Sequence, residues 1–428
     1  MFTVDRLEAV LLDQEEAFLG REGGVPREVD LDRYLASSQI VVVSGIRRCG
    51  KSTLLRQFAE RTGEVLYVNL DDERLFGFEV GDFEHLMLAF HKLHPGVRVL
   101  LIDEVQNVAS WERFVRRIHD EGYKVILTGS NAHLLSGELA TRLTGRYLQI
   151  ELFPFSFREY LHLKGVEQER LTTRKKAELL THFDYYLEHG GFPEFLKTRD
   201  DELLRRTYED ILFRDIVARF GIRDVKMFRQ MARYLFSNFT KDASYHSLKN
   251  ALGIKSAMSV RSYVQYLEEA CLVFELYQYS PSRKKQYAGP KKFYVADNGM
   301  RNAVSLRFSG DWGRMLENLV FLELKRRGEV CYFWRDKEEC DFLIEEKGQI
   351  RAALQCSCTI GDENRRRELA GLTAAMDRWS IESGTIITYN QEGELQIPGD
   401  RNVRLIPAWK WLTGTIPLLP EPHTPPSR

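Results

Sequence analysis

Residues Ser44 to Thr53 read SGIRRCGKST, and Gly45-x4-Gly50-Lys51-Ser52 within them fits a phosphate loop. Glycines let the backbone curl so that its N–H groups point inward, toward phosphate oxygens. A helix starting near Lys51 adds the positive end of its dipole. Lys51 is suited to reach the β and γ phosphates, Ser52 to ligate Mg²⁺, and Thr53 to support it. Further on, VRVLLIDEV ends in Asp103 and Glu104. Asp103 is expected in the Mg²⁺ shell and Glu104 beside the attacking water, which it would polarise. A third run, YKVILTGSN, ends in Thr128, Ser130 and Asn131. Ligands of open parallel sheets lie beyond the carboxyl ends of strands, so Ser130 or Asn131 is a candidate to position the water or sense the γ phosphate. A simple turn accounts for the same residues equally well. Arg142 and Arg146 are four apart, on one face if that piece is helical. Such a pair is usually a solvated face; the alternative is an arginine finger reaching a neighbouring subunit's nucleotide. The chemistry implied is the binding and hydrolysis of ATP, with ATP and Mg²⁺ as the cofactors.

The elements needed to hold these groups are buried parallel strands feeding helices. QIVVVSG and VRVLLIDEV are continuous apolar runs of strand length, and LLRQFAE after the loop looks helical. The chain has 428 residues, enough for about three domains, and 43% are hydrophobic. With 61 basic and 62 acidic residues it is no polycation, so any nucleic-acid surface must be a local patch. No apolar run is long enough to span a bilayer, and the N-terminus has acids and a helical period unlike a signal peptide. Six scattered cysteines without ligand spacing fit a reducing, cytoplasmic setting rather than a metal site.

GIRRCGKSTLL, LLIDEVQ, LTGSNA, TRLTGRY and FPFSFREYL together resemble the prokaryotic AAA+ ATPases of the "ATP-binding protein" type, which carry a C-terminal domain of unknown function. The resemblance continues through GGFPEFL, ILFRDIVARF, FYVADNGMRNA and ENLVFLELKRRG to ECDFLI, from about residue 35 to 360. It implies an α/β protein: a P-loop AAA+ parallel-sheet core over 1–155, a helical lid over 156–222, a winged-helix domain over 223–292 and a restriction-endonuclease-like α/β domain over 293–415. A proline-rich tail, 416–428, is expected to be disordered. It also implies a homo-oligomeric ring, a hexamer for example, with Arg142 or Arg146 acting in trans.

Within these segments, Gly190, Gly191 and Pro193 break the helical sequence, as suits a lid that moves with nucleotide state. SLKNALGI followed by KSAMSVRSYVQYLEEA has a helix–turn–helix look. Leu248, Leu252 and Ile254 would pack inside, while Ser256, Ser259, Arg261, Ser262 and Gln265 would face out, toward a DNA groove or a protein. SRKKQYAGPKK, residues 282–292, reads as a basic loop or wing. Endonucleases of the resembled fold use a helix glutamate, an aspartate and a Glu-x-Lys strand. The matching positions here are Glu317, Asp341 and Gln355-Cys356-Ser357. Gln355 and Ser357 replace the acid and the lysine, so the domain is expected not to cleave. Lys325, Arg326, Arg327 and Arg365 to Arg367 remain candidates to touch phosphate. Two functions follow: an ATPase coupled to binding and remodelling DNA, possible branch points included, or an ATP-gated regulatory switch acting through a protein partner. Duplex of any sequence would stimulate the first. An ATP-fuelled nuclease is a third reading, opposed by Gln355 and Ser357.

Overall fold

Five apolar strands set the first unit. In the computed structural model, which describes residues 2–129, 143, 145–167, 172–305, 311–399 and 401–416, these are β1 (Ile40–Gly45), β2 (Leu66–Asn69), β3 (Val99–Asp103), β4 (Lys124–Thr128) and β5 (Tyr147–Leu152). They form one sheet in the order β2-β3-β4-β1-β5, parallel at every pairing. Buried on both faces, β1 is apolar through Val43 without alternation. One face packs Leu7, Val10, Leu86, Phe90, Phe114 and Ile118 against Val42, Val68, Leu100 and Ile102. The Lys51–Thr62 helix buries Leu54, Leu55 and Phe58 and packs on β1, β3 and β4. Because the strands are parallel, their carboxyl ends bring Gly45, Asp103 and Thr128 to one edge. This unit comprises Met1–Pro154 with Glu269–Cys271.

The second unit, Phe155–Glu268 with Leu272–Arg428, begins with helices at Phe157–Leu163, Thr173–His189, Pro193–Thr198 and Asp201–Asp210. The last runs on through a π-helical stretch, Ile211–Val217, a wide turn rare in proteins. Helices Val225–Ser237, Tyr245–Leu252 and Ala257–Glu269 follow, with β6 (Asp242–Ala243), β7 (Val273–Tyr277) and β8 (Lys291–Val295). The three strands pair antiparallel in the order β6-β8-β7. Leu248, Leu252 and Ile254 are buried as expected. Arg261 and Gln265 are exposed, but Ser256, Ser259 and Ser262 are half-buried, and Ser256 and Ser259 bond each other. A mixed sheet completes the unit: β9 (Val330–Arg335), β10 (Glu339–Glu346), β11 (Gln349–Ser357), β12 (Ser383–Thr388), β13 (Gly393–Ile397) and β14 (Arg401–Pro407), in the order β13-β14-β12-β11-β10-β9. The Arg365–Trp379 helix covers β10, β11 and β12.

Two expectations need correction. The basic stretch 282–292 is not an open loop. Its first part forms a short helix, Arg283–Ala288, and Lys291 and Lys292 lie buried in β8. Lys325, Arg326 and Arg327 are engaged within the fold rather than held out for phosphate. Arg326 and Arg327 pair with Glu323, and Lys325 lies 5.0 Å from the Phe274 ring centre. Arg365, Arg366 and Arg367 are all exposed, Arg367 pairing with Glu368 at the surface. Gly190 and Gly191 do break the helical sequence, between His189 and Pro193, and the break is held by specific bonds. The buried Asp297 carboxylate accepts from the Gly191 N–H at 2.7 Å and the Met300 N–H at 2.8 Å. A Cβ on Gly190, where φ is +71°, would lie 2.1 Å from that carboxylate. Asn298 and Asn302 donate to the Leu187 and Glu188 carbonyls, which ties the end of the Thr173–His189 helix to the Asn298–Val304 helix. The tail, from residue 417, lies outside the described residues.

Burial pushes the Asp297 carboxyl up to about 6, and the N–H donors of Gly191, Met300 and Gly299 oppose that shift. Asp297→Ala strands those donors, at a cost of roughly 2–4 kcal/mol of stability. Urea denaturation followed by circular dichroism reads this loss, and Asp297→Asn, which keeps one acceptor oxygen, loses less.

Candidate functional site

The loop between β1 and the Lys51–Thr62 helix is shaped by its glycines. Gly45 has φ +150°, and a Cβ there would lie 2.2 Å from the Leu152 carbonyl oxygen. Gly50, with φ +105°, is the left-handed residue just ahead of the helix. From outside the motif, Arg27 braces the loop: its guanidinium donates to the Cys49 carbonyl at 2.8 Å and the Phe153 carbonyl at 2.7 Å. The Lys51 ammonium, largely buried, donates to the carbonyls of Gly45 at 3.0 Å and Ile46 at 3.2 Å. It therefore lies folded over the loop that it closes.

Asp103 ends β3, 3% exposed. Burial raises its pKa; hydrogen bonds from the Ser52 and Thr128 hydroxyls and the Lys51 charge oppose this. The two groups expected around Mg²⁺, Ser52 and Asp103, thus touch each other directly. A hydroxyl and a carboxylate are hard oxygen donors of the type Mg²⁺ takes, so the residues fit the ion. Thr128 connects the site to β4: its hydroxyl donates to Asp103 and accepts the Glu104 N–H at 3.0 Å. Glu104 has φ +54°, which turns it out of the strand, and the Gln106 amide donates to its carboxylate. The expected Gly45, Gly50, Lys51, Ser52, Asp103 and Glu104 converge, with Thr53 half-buried on the same helix turn. Arg146 does not join them. It sits exposed at the amino end of β5, paired with Asp120 at 2.7 Å, a strand's length from the loop. Ser130, Asn131 and Arg142 lie outside the described residues. Arg27 lies outside every local motif, and Gln106, the last residue of LLIDEVQ, was given no role in sequence.

Family models match this chain in three successive stretches: "AAA domain" over residues 37–161, and two domains of unknown function over 180–311 and 312–411. An uncharacterized protein of Methanocaldococcus jannaschii is 34% identical over 425 residues, covering 94% of each chain. Another, from Haemophilus influenzae, is 32% identical, covering 78% of this chain and 86% of its own. The chain belongs to this family of AAA-domain proteins. Aeropyrum pernix Orc1, solved in complex with DNA, is similar to this chain at TM-score 0.31 and 14% identity, over 68% of this chain and 91% of that one. The Hsp104–ADP complex of S. cerevisiae is similar at TM-score 0.32 and 18% identity, over 56% and 50%. Both likenesses are too distant to bear on function. Among the described residues of this AAA-domain protein, no helix is long and apolar enough to cross a membrane.

A second polar centre lies in the other unit of the AAA-domain protein. Glu317 and Asp341, singled out in sequence, do come together, but around an ammonium. Lys292 reaches in from β8, 2.8 Å from Glu317, 2.7 Å from Glu339 and 3.0 Å from Asp341, with its side chain 3% exposed. Tyr294 donates to Glu317 at 2.8 Å, and the Cys356 N–H donates to Asp341 at 3.0 Å. Gln355 accepts the Asp341 N–H at 3.3 Å, and Ser357 donates to the Thr359 carbonyl at 3.1 Å. Lys292, Glu339 and Tyr294 were missed in sequence; a lysine inside an apolar strand run, KKFYV, was the available sign. Burial works against the Lys292 charge, but Glu317, Asp341 and Glu339 outweigh it and hold its pKa well above the usual value. Three carboxyls share one cation, so one of them favours its neutral form. Burial pushes Glu317 up to about 7, the Asp341 charge adding to the shift and Lys292 opposing it.

Glu317 therefore binds a proton more tightly folded than unfolded. Its contribution to stability is full below its unfolded value of 4.5 and is lost as pH rises through about 7. Melts at pH 5.5 and 7.5 should differ by on the order of 1–2 kcal/mol from this group, and Glu317→Gln should remove that difference. Lys292→Met leaves the carboxylates without a counter-charge and costs about 3–5 kcal/mol, read by urea denaturation at pH 7.5.

Proposed function

We propose that this protein hydrolyses ATP at the loop of Gly45 to Thr53 and couples turnover to binding and remodelling DNA, as an oligomeric ring. The observation that carries the ATPase reading is the hydrogen-bonded chain Ser52–Asp103–Thr128–Glu104. It joins the loop, the Ser52–Asp103 pair and Glu104 at one sheet edge, which supports their reading as phosphate cradle, metal ligands and base. The loop N–H groups cradle phosphate oxygens, and Lys51 exchanges the Gly45 and Ile46 carbonyls for β and γ phosphate oxygens. Bound Mg²⁺ supplies charge neutralisation of the phosphates, with Ser52 and Asp103 to hold it. The Glu104 carboxylate, steadied by Gln106, orients the water and takes its proton. Ser130 or Asn131 serves as the γ-phosphate sensor. Arg146 or Arg142 serves a neighbouring subunit, a role that fits the distance of Arg146 from its own loop and its exposure.

The DNA part rests on the second unit. Its order of helix, strand, two helices and two strands, with sheet order β6-β8-β7, supports the winged-helix reading. Exposed Arg261 and Gln265 on the Ala257–Glu269 helix suit a groove. The mixed sheet with Glu317 and Asp341 supports an endonuclease-like ancestry. The Lys292 ammonium among the carboxylates supports a centre that does not cleave.

Lys51→Ala should abolish nucleotide binding or hydrolysis. Glu104→Gln should bind ATP yet turn over at least a hundredfold more slowly; normal turnover would remove Glu104 from the mechanism. For the coupling, ATP hydrolysis is measured with no DNA, single strands, duplex and a four-way junction, at low and physiological salt. Salt-sensitive stimulation supports a DNA-dependent motor; a flat response favours the regulatory switch. Plasmid incubated with ATP and Mg²⁺ or Mn²⁺ should stay intact, and nicking lost in Asp341→Ala would restore the nuclease reading.

A further inference from the structure

Tyr279, Pro281, Trp334, Arg378 and Trp379 line an open cleft of about 360 Å³ in the second unit. Its rings meet edge to face. Trp334 and Trp379 are 5.2 Å apart at 81°, Tyr279 and Trp379 5.2 Å apart at 90°. All three are half-buried and rest on the core of the mixed sheet. Among the described residues no other ring stacks flat on any of them. The charged residue lining the cleft is a cation, Arg378, while Glu345 is held by the neighbouring Tyr332 hydroxyl. Arg378 is exposed, whereas its acidic neighbour Asp377 is taken up by Arg401. Two residues past Pro281 begins the Arg283–Ala288 helix, with Arg283, Lys284 and Lys285 exposed. That helix is anchored to the same aromatic group, because Gln286 bonds the Tyr332 hydroxyl and the Tyr332 ring meets Tyr279 at 5.6 Å and 80°.

We propose that this cleft binds single-stranded nucleic acid, taking an unpaired base against Trp379 and Trp334 with the adjoining phosphates on Arg378 and the Arg283–Lys285 cations. Aromatic faces accept any base, and cations beside them follow the backbone, which is how sequence-tolerant strand binding works. A cationic ligand is disfavoured by Arg378. A proline-rich peptide would use the rings but gains little from four cations. A base within a duplex stays stacked on its neighbours and does not enter. The inference thus goes beyond the duplex contact proposed for the Ala257–Glu269 helix and needs neither that contact nor ATP turnover.

The test uses the full chain without nucleotide and follows the anisotropy of fluorescein-labelled dT20, of the same backbone made abasic, and of a 20-base-pair duplex. Wild type should bind dT20 at least about tenfold more tightly than the abasic strand. Trp379→Ala should remove that preference, and Arg378→Ala should weaken dT20 and the abasic strand alike by several-fold, with duplex binding within twofold of wild type for both. Equal wild-type affinity for dT20 and the abasic strand overturns the inference, as does unchanged dT20 binding in Trp379→Ala. Binding of a proline-rich peptide that Trp379→Ala abolishes, without dT20 binding, reassigns the cleft to peptide. Should Trp379→Ala fail to fold, Trp379→Leu and the wild-type abasic comparison decide. Loss of DNA-stimulated ATPase with an intact dT20 preference would sink the motor reading and leave this one standing.

Discussion

The threonine at the end of β4 holds the nucleotide site together. Its hydroxyl reaches the Asp103 carboxylate and receives the Glu104 N–H, so two adjacent acids on β3 are fixed from the neighbouring strand. Only the parallel pairing of β3 with β4 makes this possible, because it brings the two carboxyl ends level. Ser52 then meets Asp103 from the far side of the loop, and the dry environment of Asp103 strengthens each of these bonds. If the β3–β4 register slipped by one residue, Thr128 would face away and the acids would lose their common support.

The second unit is organised by charge in a similarly indirect way. Three of its buried charged groups are paired: Asp297 with backbone N–H groups, Arg301 with Asp311, and Lys292 with three carboxyls. Asp297 reaches Gly191 across 106 residues, and Lys292 reaches Asp341 across 49, so these pairings tie distant segments of the unit together. Gly190, Gly191 and Gly299 belong to the first of these ties. A Cβ on Gly299 would fall 1.9 Å from the His189 carbonyl oxygen, which gives these glycines a packing role.

How much of this was legible in sequence depends on how local the signal was. The phosphate-loop pattern lies within a few consecutive residues, each with a distinct physical duty, and it falls between β1 and the Lys51–Thr62 helix. Asp103 and Glu104 were legible because a buried parallel strand announces itself by unbroken apolar residues and a polar exit. Lys292 was not legible. It lies 25 residues from Glu317 and 49 from Asp341, and a basic run followed by a strand looks like solvated surface until the neighbouring sheet is known. Arg27 was hidden for the same reason, lying 126 residues from the Phe153 carbonyl it braces. Lys325 to Arg327 misled by composition: a cluster of cations at a helix end looks available until Glu323 and Trp411 are seen to engage two of them.

The cation at the centre of the carboxylate cluster is part of the polypeptide. An ion captured from solution sets up an equilibrium that tracks its concentration and competes with chelators and other ions. A tethered ammonium has no such equilibrium: its local concentration is set by the covalent chain and its occupancy by folding alone. The Lys292 charge therefore arrives among the carboxyls as this domain folds, and only the proton on Glu317 is left to exchange with solvent.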